Sequence, residues 1–101
     1  MDAIKRIQEM ETALDAGAAA VSRMEEALDE MDRLKERIAA LSAYYGSEEW
    51  FKDVEAHNEE RLPPELKCGV LSEDLAYDLL TDARAQAIRM LETAAYLLKK
   101  L

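Results

Sequence analysis

From Asp2 to about Tyr44 the apolar positions recur three and four residues apart. Ile7, Met10, Leu14, Gly17, Val21, Met24, Leu28 and Met31 make one continuous seam, the spacing that puts side chains on a single face of a heptad-patterned helix. Past Met31 one ridge continues through Ile38 and Tyr45, while its companion passes from Leu28 to Leu34 and Leu41. The register therefore shifts by one place. With no proline in this stretch, the pattern predicts one helix over about 2–44. Ala13, Ala20 and Ala27 lie seven apart beside the seam and let another backbone come close. Gly17 costs about 1 kcal/mol against alanine inside a helix, but the alanines around it predict that the helix runs through without a kink.

Gly46 stands where a left-handed residue closes a helix. Ser47, followed by Glu48 and Glu49, reads as an N-cap with carboxylates at the positive helix end. A short helix over about 47–58 carries Trp50, Phe51 and Val54 and stops before Leu62-Pro63-Pro64, where proline forbids continuation. Residues 59–71 read as an ordered connection, with Gly69 permitting a turn and Leu66, Val70 and Leu71 as anchors. Ser72-Glu73-Asp74 repeats the cap pattern and opens a helix over about 72–100. Its wide apolar stripe includes Leu80, Ala83, Ala87, Met90, Ala94, Leu97 and Leu101, and Lys99 and Lys100 complement its negative end. The expected fold is all-α: one domain over 1–101, in which a long N-terminal helix, a short middle helix and a long C-terminal helix pack antiparallel as a helical hairpin or bundle.

Charge changes what such a fold is expected to do. With 22 acidic against 13 basic side chains, a net −9 over 101 residues, the surface repels phosphate backbones, so no nucleic-acid partner is expected. No apolar run approaches the ~20 residues of a membrane helix, and the first residues, MDAIKRIQEME, lack the apolar stretch of a signal peptide. No membrane association is expected. A single cysteine, Cys68, forms no internal disulfide, and the cytoplasm is the expected location.

Tyr44, Tyr45, Trp50, Asp53, Lys67, Ser72, Asp74 and Tyr77 concentrate aromatic and polar groups around two helix starts and the proline-glycine connection. This corner is the candidate site for a ligand or partner. The same rings also suit a purely structural task, capping one end of a helical bundle. Tyr44-Tyr45-Gly46-Ser47-Glu48-Glu49-Trp50 with Asp53, followed by Leu62-Pro63 and by Leu66-Lys67-Cys68-Gly69-Val70-Leu71-Ser72-Glu73-Asp74 with Tyr77-Asp78-Leu79-Leu80, resembles the bacterial family known as domain of unknown function 4298. The resemblance covers most of the chain. It implies a bacterial cytoplasmic helical protein and supplies no activity. That family more often has arginine where this chain has Cys68 and glycine where it has Arg61, which weighs against a catalytic Cys68.

Three places have residues that could carry chemistry. Glu49, Asp53 and His57 lie four apart on one helix face, a spacing able to offer ligands to a divalent metal, but the chain has one histidine and no ExxH pair of the di-iron kind. Cys68 and His57 would form a nucleophile and base only if the fold joined them, and acidic surroundings disfavour a thiolate. Ser47 and Ser72 sit in no GxSxG elbow, and capping explains both. No catalytic, cofactor-binding or metal-binding residue is assigned, and no cofactor is expected. The leading reading is a non-enzymatic helical interaction or scaffold module. It would form a homodimer along a seam containing Ile7, Leu14, Ala20, Val21 and Leu28, in which this seam and the Ala13, Ala20 and Ala27 ridge meet those of a two-fold-related copy in an antiparallel four-helix arrangement. The competing reading is a monomeric three-helix bundle kinked at Gly17, and an unidentified protein partner is a further possibility. The alternative is a small-molecule binder or enzyme using the Tyr44–Tyr77 corner.

Overall fold

A computed structural model describes residues 2–101. Among them the chain is all-α, in the order long, short, long: α1 (Asp2–Tyr44), α2 (Glu48–Asn58) and α3 (Glu73–Lys100), with a single 3-10 turn at Gly69–Leu71 and no strand. α1 runs unbroken through Gly17 for 43 residues. The run of alanines around Gly17 compensates its helix cost.

Each end has a local cause. At the close of α1 the Tyr45 N–H donates to the Leu41 carbonyl at 2.9 Å and the Ser47 N–H to the Tyr44 carbonyl at 3.0 Å. Gly46 supplies the left-handed φ of +80° between them, which glycine adopts without steric cost. Ser47 then caps α2, its Oγ accepting from the Trp50 N–H at 3.2 Å, and Ser72 caps α3 by accepting from the Leu75 N–H at 3.3 Å. Both α2 and α3 begin with two acidic residues, which favour the positive end of the helix dipole.

α2 stops for a reason other than the prolines. Glu60 adopts φ +57°, its N–H donates to the His57 carbonyl at 3.1 Å, and the Arg61 N–H donates to the Ala56 carbonyl at 2.9 Å. This is the paired closure of a Schellman motif, with glutamate where glycine is usual. The helix is closed before Pro63 is reached. Gly69 opens the 3-10 turn, as expected, without a left-handed φ. Its service is room, since a Cβ there would lie 3.2 Å from Leu75 Cδ1.

The chain divides into two units, one up to Glu36 and one over Arg37–Leu101. The second holds the two buried residues found among the described ones, Trp50 at 5% exposure and Ala76 at 4%. Half-buried Ile38, Leu41, Val54, Leu62, Leu71 and Leu80 accompany them, and the 3-10 turn packs against both α2 and α3. The first unit buries nothing: between Asp2 and Glu36 only Leu34 is even half-buried. Beyond Ala83 every residue of α3 is exposed as well. No helix among the described residues is long and apolar enough to cross a membrane.

Candidate functional site

Trp50 organises the corner. One turn into α2, its indole N–H donates to the Val70 carbonyl at 3.0 Å, tying α2 to the 3-10 turn. Its ring meets Tyr45 and Phe51 edge to face, each with centroids 5.0 Å apart, a favoured aromatic geometry. Tyr45 Oη donates to the Glu73 carbonyl at 3.1 Å, occupying a backbone acceptor at the start of α3. Tyr44 Oη donates to Asp53 Oδ2 at 2.6 Å, the short distance of a bond to an ionised acceptor. That bond to Asp53 pushes the Tyr44 phenol up to about 12, with burial and the charges of Asp53, Glu49 and Cys68 adding to it. Ser72 serves twice, capping α3 and donating from Oγ to the Gly69 carbonyl at 3.0 Å.

Tyr44, Tyr45, Trp50, Asp53 and Ser72 thus all take part in the bonding of the corner, as separate links: Tyr44 with Asp53, Tyr45 with Trp50, and Ser72 with the Gly69 carbonyl and the Leu75 N–H. The other three corner residues stand apart from it. Lys67 and Asp74 are exposed, Tyr77 is 59% exposed, and none of them makes a side-chain hydrogen bond or ion pair among the described residues. Two of the expected anchors also face water: Leu66 is exposed, and Val70 holds the connection through its carbonyl and not its side chain. Phe51 is 60% exposed, so α2 fills the corner with Trp50 and the half-buried Val54.

Residue identity gave no warning of three elements of this site: the Val70 carbonyl, the Glu73 carbonyl and the left-handed Glu60. The Tyr44–Asp53 pair is different, since both residues stood in the candidate corner and only their partnership was missing.

What the corner can do chemically follows from where its polar groups are committed. A shallow hollow of about 540 Å³ is lined by Ala40, Ala43, Tyr44, Ser47, Glu48 and Glu49. Of its lining, the Tyr44 hydroxyl is bonded to Asp53 and the Ser47 hydroxyl to the Trp50 N–H, which leaves the exposed Glu48 and Glu49 carboxylates, whereas a ligand site needs convergent polar groups that fix the ligand's orientation. Among the described residues no group of three or more His, Cys, Asp or Glu is arranged to hold a metal ion. Cys68 is half-buried, and its thiol donates to the Leu66 carbonyl at 3.4 Å.

The seam residues of α1 present the opposite picture. Ile4, Ile7, Met10, Leu14, Val21, Met24, Leu28 and Met31 are all between 40% and 65% exposed, and Ala20 is exposed beside them. A second shallow hollow lies over Leu14, Gly17 and Val21 on this same face.

The chain matches the family model described as domain of unknown function (DUF4298) over residues 7–93, and it belongs to that family. No curated protein matches it significantly.

Proposed function

We propose that this member of the DUF4298 family is a cytoplasmic, non-enzymatic helical interaction module that works as a homodimer assembled along the apolar face of α1. The observation that carries the reading is the uncovered seam. Taking roughly 150–190 Å² for each such residue when fully exposed, the eight apolar side chains from Ile4 to Met31 present on the order of 750 Å², close to the ~800 Å² per partner of a standard interface. Monomeric soluble proteins seldom expose a contiguous apolar patch larger than a few hundred Å².

Helix energetics supports the same reading. Isolated helices are marginal in water and draw most of their stability from packing an apolar face, and α1 has no fully buried residue along its length. A second copy supplies the missing contact without requiring any other molecule, and closed two-fold pairing is the commonest form of assembly. A binding role for the corner has weaker support, because the hydroxyls of Tyr44, Tyr45 and Ser47 and the Trp50 indole N–H are already paired inside the chain.

Light scattering at micromolar concentration tests the reading. The unmutated protein is expected to give a dimer mass. Ala20→Leu, which overfills a close helix crossing at a cost of ~1–3 kcal/mol, is expected to shift it toward monomer. A monomer mass for the unmutated protein would refute the homodimer, and a dimer indifferent to Ala20→Leu would place the interface elsewhere.

A further inference from the structure

The order of side chains along the α1 seam says more than its area. Counted in sevens, one row of the seam is Ile7, Leu14, Val21 and Leu28, all branched aliphatics. The other is Met10, Gly17, Met24 and Met31, methionine throughout except for the glycine. Both rows lie on the uninterrupted part of α1 before Glu36, and every residue in them apart from Gly17 is 40–63% exposed.

Two ways of pairing this helix with itself have different consequences. In a parallel, in-register pair each residue faces its own copy, so Gly17 meets Gly17 and leaves a void, while methionine meets methionine in three layers. Interiors pack at near-crystalline density and an unfilled layer is costly. In an antiparallel pair each row faces the other. With the two-fold axis midway between Gly17 and Val21, Ile7 meets Met31 of the second copy, Met10 meets Leu28, Leu14 meets Met24 and Gly17 meets Val21. Each layer then combines one branched side chain with one methionine or glycine, and the glycine is filled by the valine.

The alanine row has nearly the same centre. Ala13, Ala20 and Ala27 stand seven apart and flank the seam, so the same axis sets Ala20 beside Ala20 and Ala13 beside Ala27 of the second copy. The seam is complementary about its middle, branched residues on one side mirrored by methionine or glycine on the other, and the ridge is symmetric in size. Gly17 itself has open space around it, with nothing within 4 Å of where a Cβ would stand, so the second copy meets no obstruction from its own chain there.

Resting on the homodimer reading above, we propose that α1 pairs with α1 of a second copy in antiparallel orientation, with the two-fold axis beside Ala20, between Gly17 and Val21. The interface is then limited to the stretch from Ile7 to Met31. One side of it is the close alanine crossing. On the other, Glu11 faces Glu25 of the second copy.

Spin-label distances in the full chain test orientation and register together. In a Cys68→Ser background, Thr12→Cys and Arg33→Cys each carry one label on the face away from the seam, and the dimer mass of each labelled protein is checked by light scattering. A rise of 1.5 Å per residue and an interaxial spacing of 8–10 Å give label separations of about 30 Å at position 12 and about 45 Å at position 33 for the antiparallel pair. The expected result is the Arg33→Cys separation exceeding the Thr12→Cys separation by about 15 Å. Equal separations, from a parallel pair or from an antiparallel pair slipped one heptad toward the C-terminus, or a difference of about 30 Å, from a slip one heptad the other way, would overturn the proposed pairing while leaving the homodimer standing. A monomer mass for the unlabelled parent would overturn both.

Discussion

Replacing Trp50 tests whether the corner is the folding core of its unit. Trp50 is 5% exposed, and among the described residues only Ala76 is buried as fully. Truncating a buried tryptophan to alanine costs ~3–5 kcal/mol through lost burial and the cavity left behind. A chain of this size is worth roughly 5–15 kcal/mol in total, and so small a buried core places it near the lower end. Trp50→Ala is therefore expected to remove most of the stability and leave a substantial unfolded fraction at room temperature. Trp50→Phe keeps a ring between Tyr45 and Phe51 but loses the 3.0 Å bond to the Val70 carbonyl. Its cost is expected to be about 1–2 kcal/mol, since a net hydrogen bond contributes about 1 kcal/mol and a smaller ring buries less area. Urea unfolding followed by far-ultraviolet circular dichroism measures both, at one fixed protein concentration because association adds concentration-dependent stability. The unmutated protein adds an independent reading: emission from a buried indole should be blue-shifted and move red on unfolding. A Trp50→Ala midpoint within error of the parent, or native emission already resembling free tryptophan, would refute the packed corner.

Two further outcomes follow from named bonds. Because the folded Tyr44 phenol is raised to about 12 from the ordinary 10, its neutral form is favoured in the folded state; its contribution to stability is complete below pH 10 and is lost as pH rises through about 12. Tyrosinate absorbance should show one late-titrating tyrosine in the parent that moves back toward 10 in Asp53→Asn, and an unchanged titration would reject the Tyr44–Asp53 bond. Ser47→Ala and Ser72→Ala each remove a side-chain cap and are expected to cost about 1 kcal/mol; thermal unfolding checks this, with no loss for either serine counting against its capping role.

Short-range physics was legible in the sequence. The three helices came from apolar spacing, the end of α1 from Gly46, and the starts of α2 and α3 from Ser47 and Ser72, because each of these depends on residues within one or two turns. The concentration of aromatic and polar groups from Tyr44 to Tyr77 was visible too. Which of its members would meet was not. Tyr45 and Trp50 reach the carbonyls of Glu73 and Val70, and a carbonyl carries no residue identity for a sequence pattern to signal. Glu60 closes α2 in a conformation that glutamate disfavours, so the nearby prolines looked like the cause of an ending that backbone bonds had already made. Lys67, Asp74 and Tyr77 shared the corner in sequence but remain exposed outside its bonding. The seam of α1 could be read from its period alone. That its side chains remain exposed is a property of the tertiary structure, since periodicity states which face is apolar and only packing decides what covers it.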